Sequence, residues 1–260
     1  MSQQIIADPQ ALGAQYRLGN HRATYKPSTT CQVIVLFFVL TFGCVFTLIA
    51  LIFIAFTSFA LFFVLFGLLF VGIALYGIIA AYRNRVLRVF VYDYGFIHVG
   101  QTSLQCLYWQ NVQAVCHKVE KHTTGGAKGH SSTTYKHIYT VNCIDGTCLK
   151  LDQTFIDPEQ LGRSIEKGTA PYIFPLVLKT YQTSQAVSFG PLMVTPQGLR
   201  YGAITLPWAE MKSIDIDEHY GQIVIKKQGK LFGWASVALS DLPNVEVFRM
   251  LVQHITGVRP

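Results

Sequence analysis

From Val33 to Tyr82 the chain carries no charged side chain; Lys26 is the last before this stretch and Arg83 the first after it. As one helix it would run about 75 Å at roughly 1.5 Å per residue, more than twice the hydrocarbon thickness of a bilayer. One straight crossing is excluded, and two helices joined by a tight turn fit. Thr57-Ser58 is the most turn-like point, so the sequence predicts helices over Val33–Phe56 and Phe59–Tyr82. A helical pair buried in a water-soluble core would show a polar face on each helix, and none is present. The polar residues inside the stretch are Thr41, Thr47, Thr57 and Ser58, with Cys44. Such hydroxyls bond back to their own helix. The absence of any Asp, Glu, Lys, Arg or His argues against a proton relay or ion pathway. Gly67, Gly72 and Gly77 recur at a spacing of five that does not keep to one helix face, while Gly77 and Ala81 form a small-xxx-small pair.

The flanks set an expected topology. Arg17, Arg22 and Lys26 precede the stretch, and Arg83, Arg85 and Arg88 follow it. Positive flanks stay on the cytoplasmic side, so the expectation is a multi-pass protein of the cell inner membrane with both termini cytoplasmic. Tyr25 and Tyr82 are expected at the headgroup level. The net charge of +7 divides unevenly: residues 1–88 hold six Lys/Arg against Asp8 (6 − 1 = +5), and the remainder holds fifteen against thirteen acids (15 − 13 = +2). The excess is thus juxtamembrane, where it serves topology and attraction to anionic lipid rather than nucleic acid.

The segment 1–30 is polar and mixed, with Asp8-Pro9 reading as the start of a short helix through Ala14. After Arg85 strands dominate. Leu87–Tyr92 and Phe96–Val99 flank an Asp93-Tyr94-Gly95 turn, followed by Leu104–Trp109 and Val112–Glu120. Lys121–Thr134 reads as a Gly/Ser/Thr/His-rich loop, and Tyr135–Ile144 with Thr147–Leu151 as a hairpin across Asp145-Gly146. A type I′ turn there would set Cys143 opposite Cys148; on a reducing side both are expected as free thiols. Asp157-Pro158 starts a helix that Gly168 is expected to stop, and 170–185 reads as a second helix or connecting segment.

The same signals then return. Ala186–Phe189 and Leu192–Thr195 lead through Pro196-Gln197-Gly198 to Leu199–Tyr201, Ile204–Trp208 and Met211–Asp217. Strands Gly221–Lys227 and Leu231–Leu239 follow, and Pro243–Ile255 closes as an amphipathic helix. Trp109 and Trp208 are each followed by apolar residues at matching offsets. From Trp109 to Asp157 is 48 positions and from Trp208 to Leu242 is 34; the difference, 14, equals the length of Lys121–Thr134. An internal duplication with one enlarged loop explains both spacings. The expected organisation is a 1–30 head, a 31–84 transmembrane hairpin, units at 85–169 and 186–260, and a 170–185 connector.

The Trp after which the chain runs x-x-Val/Met-x-x-Val/Ile, the hairpin and the terminal amphipathic helix resemble bacterial PH-like domains. A transmembrane hairpin followed by such units is similar to membrane-associated bacterial PH-domain proteins. Val187-Ser188-Phe189-Gly190, Gly198-Leu199 and Leu206-Pro207-Trp208 look like a bacterial domain family of unknown function. The resemblance implies an α+β fold of two PH-like units, each a bent antiparallel sheet capped by its C-terminal helix, and binding or scaffolding rather than catalysis. It does not carry phosphoinositide recognition, because the early strands lack the needed Lys and Arg cluster.

Few residues suggest chemistry. His117, His122, His130 and His137, with Cys116, are the candidate metal ligands, set against their irregular spacing. Lys226, Lys227 and Lys230 around Gln228-Gly229, with Phe232 and Trp234 beside them, are candidates for lipid or partner contact. Asp215, Asp217 and Glu218 could mimic a carboxylate site, but the alternation along Ile214-Asp215-Ile216-Asp217 points instead to the outer face of a strand. No nucleophile elbow, P-loop, dinucleotide fingerprint or paired-histidine helix appears. The expectation is a non-enzymatic protein without a cofactor, in contact with membrane lipid and with a protein partner or itself. The alternatives are a metal-dependent membrane enzyme using the histidine loop, and a structural subunit of a membrane complex.

Overall fold

The computed structural model describes residues 8–28, 30–53, 60–125, 131–217, 220–230 and 232–257. It forms two compact bodies, one of Thr24–Val89 with His98–Gln105, the other of Met1–Ala23, Phe90–Ile97 and Cys106–Pro260.

In the first body, α2 (Thr30–Phe53) and α3 (Ala60–Asn84) pack along each other. Val33–Ile52 and Leu61–Asn84 are each long and apolar enough to cross a membrane. The predicted turn at Thr57-Ser58 lies outside the described residues. Side chains facing away from the pair, such as Phe38 and Ile52, are as apolar as those between the helices. Close approach comes from small residues: a Cβ on Gly67 would meet Thr47 at 2.2 Å and one on Gly77 would meet Leu36 at 2.6 Å, whereas Gly72 faces open space. Two of the three glycines therefore do line the contact. Thr41 and Thr47 donate to the carbonyls of Phe38 and Gly43, satisfying each hydroxyl within its own helix. At the end of α3, Arg83 donates to Gln101, which in turn donates to Asn84.

Ahead of the helical pair in the chain is α1 (Pro9–Gln15), whose N-cap Asp8 accepts from the Gln10 amide. The segment after it holds a strand that polar composition concealed, β1 (His21–Tyr25). Tyr25 is buried there rather than available at a headgroup layer, and Tyr82 on α3 is exposed. The chain continues through β2 (Arg88–Tyr92), β3 (Gly95–Val99) and β4 (Leu104–Tyr108), giving a four-stranded sheet in the order β1-β2-β3-β4. A 3-10 turn at Trp109–Asn111 leads into β5 (Val112–Gly125), β6 (Ser131–Cys143) and β7 (Cys148–Leu151), a three-stranded antiparallel sheet, and then α4 (Pro158–Gln182).

The plan then repeats. Strands β8 (Val187–Phe189), β9 (Leu192–Thr195), β10 (Gly198–Tyr201) and β11 (Ile204–Pro207) form a four-stranded sheet. A 3-10 turn at Trp208–Glu210 leads into β12 (Met211–Asp217), β13 (Gln222–Lys227) and β14 (Gly233–Ala238), and α5 (Val245–Thr256) closes the chain. Three details match beyond strand order. Trp109 Nε1 donates to the Asp93 carbonyl and Trp208 Nε1 to the Thr195 carbonyl, both at 3.0 Å and both at the turn between the second and third strands. Each indole opens a 3-10 turn. The register of the following strand slips at the same place, between Val112 and Ala114 and between Met211 and Ser213. In chain order, the apolar helical pair is an insertion between the first and second strands of the first repeat.

The extra length of the first repeat is a longer ladder. Strands β5 and β6 are each seven residues longer than β12 and β13 (14 − 7 and 13 − 6). Most of the expected Lys121–Thr134 loop is therefore paired strand, with His122 opposite Thr134 and Gly125 opposite Ser131; its threonines are β-branched residues that favour strands. Helix α4 also runs on past Gly168, which was expected to stop it, and past Pro171 and Pro175. Gly168 is there because a Cβ would strike the Trp109 indole at 2.6 Å. Beyond it Ile173, Phe174 and Val177 pack into the core of the second repeat, formed around Leu192, Leu206, Ile225, Phe248 and Leu251. That burial holds the helix together across its prolines, which lack the N–H of an interior helical bond.

Candidate functional site

The most elaborated polar constellation among the described residues lies between the long hairpin and the first turns of α4. The register sets His117 opposite Tyr139 and Val119 opposite His137, so these side chains share one face of the sheet, beneath α4. His117 and His137 are both buried, with Nε2 of the first 3.1 Å from Nδ1 of the second. One ring nitrogen must donate and the other accept. The His117 ring stacks on Tyr139 at a centroid distance of 4.2 Å and an angle of 9°. Gly162 of α4 lies against the far side of this stack, where a Cβ would fall 2.2 Å from the phenol ring. Burial, then the neighbouring His137 and Arg163, push His117 down to about 3. It is therefore held neutral at physiological pH. On the other side of His137, Nε2 faces the Glu159 carboxylate at 3.8 Å, and Arg163 forms an ion pair with Glu159 one turn along α4.

This arrangement brings together two of the four histidines singled out from the sequence. His122 lies at 3.7 Å from Glu120 on the exposed part of the hairpin, and His130 is outside the described residues. A metal ion needs ligand atoms that converge on one point. Here Glu159 addresses the opposite nitrogen of His137 from the one facing His117, and no group of three or more His, Cys, Asp or Glu able to hold an ion occurs among the described residues. Chemically the cluster is a buried, hydrogen-bonded imidazole pair on the sheet, packed beneath the helix and within ion-pair range of its Glu159. Glu159 and Arg163 belong to it and were missed in the sequence; their spacing of four on a helix beginning at Asp157-Pro158 was the available signal.

The other candidates separate. Lys226 pairs with Asp215 and Lys227 with Glu210, leaving Lys230 exposed on the turn. The basic tip read from the sequence is thus largely neutralised across its own sheet, and Asp215 serves as a lysine partner. Glu218 lies outside the described residues. Of the topology-setting residues, Arg22 is held by Asp93, whose carboxylate also accepts from the backbone and side-chain amides of Asn20. The Asn20 amide first, then Arg22, hold Asp93 below the usual carboxylate range. Cys148 lies opposite Asn142 rather than Cys143, with Cys143 buried and Cys148 exposed. The Cys143 amide bonds to the Thr147 carbonyl in a wider turn, so the two thiols point to opposite faces of the strands and do not form the pair that a two-residue turn would give.

A second missed element joins the repeats. The expected helix start around Asp241 and Pro243 is instead at Asn244, which is left-handed at φ 55° and does not cap α5 with its side chain. Its amide donates to the Val115 carbonyl, its Oδ1 accepts from the Val115 amide at 2.9 Å, and its Nδ2 donates to the Gln113 carbonyl. Asparagine tolerates this backbone geometry and offers both a donor and an acceptor, which suits it to pairing with a strand edge at a bulge.

Neither a curated protein nor a solved structure matches the chain. A family profile does match, over residues 1–259, and covers the helical pair and both repeats together. The chain belongs to DUF6585, a family of unknown function.

Proposed function

We propose that this is a membrane-anchored binding or scaffolding protein in which α2 and α3 cross the bilayer and two PH-like repeats stand on the cytoplasmic side. The observation that carries the reading is the repeated order of four strands, a tryptophan-led turn, three strands and a helix, interrupted once by a helical pair that carries no charge from Val33 to Tyr82. The flanking Arg17, Arg22, Lys26, Arg83, Arg85 and Arg88 favour retention of both ends on the cytoplasmic side of the inner membrane. The duplicated sheets offer binding surfaces, and the anchor fixes whatever they bind, a protein or a second copy, at the membrane.

Labelling of whole cells tests the reading. A non-permeating maleimide is expected to modify a Ser58→Cys variant but not the exposed native Cys148, which becomes reactive only after permeabilisation. The protein is also expected to stay with membranes through an alkaline wash. Labelling of Cys148 in intact cells, or release by the wash, contradicts the anchor. Crosslinking in native membranes is expected to join the repeats to a defined protein or a second copy; its failure under conditions that link neighbouring proteins contradicts the scaffolding role.

A further inference from the structure

Two turns of the second repeat put large apolar side chains into solvent side by side. At the β10–β11 turn, Tyr201 and Ile204 are a register pair, 40% and 64% exposed. Just before β14, Phe232 is 84% exposed, and the half-buried Trp234, one side of which packs against the core of the second repeat, meets Tyr201 ring to ring at 6.4 Å. The contact between Tyr201 and Trp234 joins the two turns into one apolar tip. A folded core gains nothing from a phenylalanine left this open, while Leu199, Leu206 and Val237 further along the same strands are buried. The tip is built on tight turns, with Gly202 at φ 59° and Gly229 at φ 71°. Its cations differ from those of the adjoining sheet. Lys226 and Lys227 are paired with carboxylates, whereas Arg200, whose Nε donates to the Gly202 carbonyl, and Lys230 have no carboxylate partner among the described residues.

We propose that this tip of the second repeat inserts into an anionic lipid surface, with Phe232, Ile204 and Trp234 entering the headgroup layer and Arg200 and Lys230 meeting lipid phosphates. Exposed aromatic and aliphatic side chains beside Arg200 and Lys230, which have no carboxylate partner among the described residues, match the boundary between acyl chains and anionic headgroups. The inference rests on the anchored reading above. Tethering to a bilayer keeps lipid at high effective concentration, so a tip of modest intrinsic affinity engages it.

The test uses the full chain in vesicles containing lipids brominated in the acyl chain, which quench nearby tryptophan. In vesicles containing phosphatidylglycerol, quenching is expected, with about a twofold loss in Trp234→Phe. Phe232→Trp, at a fully open position, is expected to add a quenched signal, and Arg200→Gln with Lys230→Gln to weaken it. If the protein remains with the vesicles through an alkaline wash but neither tryptophan variant changes the quenching, the tip does not enter lipid and this inference is overturned while the anchor stands. Release by the wash overturns the anchored reading and the inference with it. If the tryptophan of Phe232→Trp is shielded from aqueous quencher in native membranes yet unquenched by brominated lipid, the tip is a protein contact and the lipid assignment is overturned.

Discussion

The two repeats solve one packing problem in different ways. A shift of 99 residues carries Trp109 to Trp208, Val115 to Ile214 and His117 to Ile216, and the strand registers carry Tyr139 to Ile223 (208 − 109 = 99). The second repeat fills these places with isoleucines. The first buries a stacked imidazole and phenol there, adds His137, and thins the covering helix to glycine at Gly162 to make room. Trp109 is buried to 2% beneath Gly168, while Trp208 is only partly covered. Buried polar groups are tolerated only when their hydrogen bonds are made, so the first repeat is the more specified and the less forgiving of the two. Shared features describe the scaffold. Specialisation is to be sought where the repeats part company: the long hairpin with its histidines, the inserted helices, and the open tip of the second repeat.

The asymmetry at the tryptophans gives the largest expected effect. Trp109→Ala is expected to cost about 3–5 kcal/mol of stability, and Trp208→Ala roughly half as much because solvent already reaches its ring. Denaturant midpoints of the two variants measure this directly; equal losses would break the comparison. Next, Gly162→Ala is expected to cost about 1–3 kcal/mol by forcing a methyl group into Tyr139. Combined with Tyr139→Ile, which copies the second repeat, the cost should be less than the sum of the two singles.

The histidine pair carries a pH dependence of definite sign. His117 is lowered from 6.5 to about 3 in the folded chain, so the unfolded chain binds more protons between those values. Its contribution is complete above pH 6.5 and is lost as pH falls toward 3. Stability is expected to drop by about 2 kcal/mol between pH 6.5 and 5 from this residue, and His117→Ile should flatten that slope in unfolding titrations. Asn244→Gly keeps the left-handed backbone but removes the side-chain bonds to Gln113 and Val115, with an expected loss of about 1 kcal/mol. Smallest of all, Lys227→Ala should stay within about 0.5 kcal/mol, since its pair with Glu210 is partly solvated.

What the sequence displayed and what it hid follow from the range of the interactions involved. The helical pair, the Asp157-Pro158 helix start and the two tryptophans rest on local composition or spacing, and the structure shows each of them. Strand β1 was hidden because its polar residues His21, Arg22 and Thr24 carry no period-two alternation of their own, and its pairing partner follows more than sixty residues later (88 − 25 = 63). Gly168 reads locally as a helix stop, and only the Trp109 ring across the fold shows why it is internal. The pairing of His117 with His137 depended on recognising Lys121–Thr134 as ladder, which the glycines and serines near its tip obscured. Asn244 could not be read at all from its neighbours, since its partners are about 130 positions away.

Amide hydrogen exchange of the full chain in detergent tests the duplicated plan most directly, by comparing His21–Tyr25 with Val187–Phe189. If the head of the chain supplies the first strand of the first repeat, both segments should exchange slowly and lose protection together with their own sheets. Rapid exchange across His21–Tyr25 while Arg88–Val99 stays protected would show that the first repeat lacks that strand and would contradict the plan.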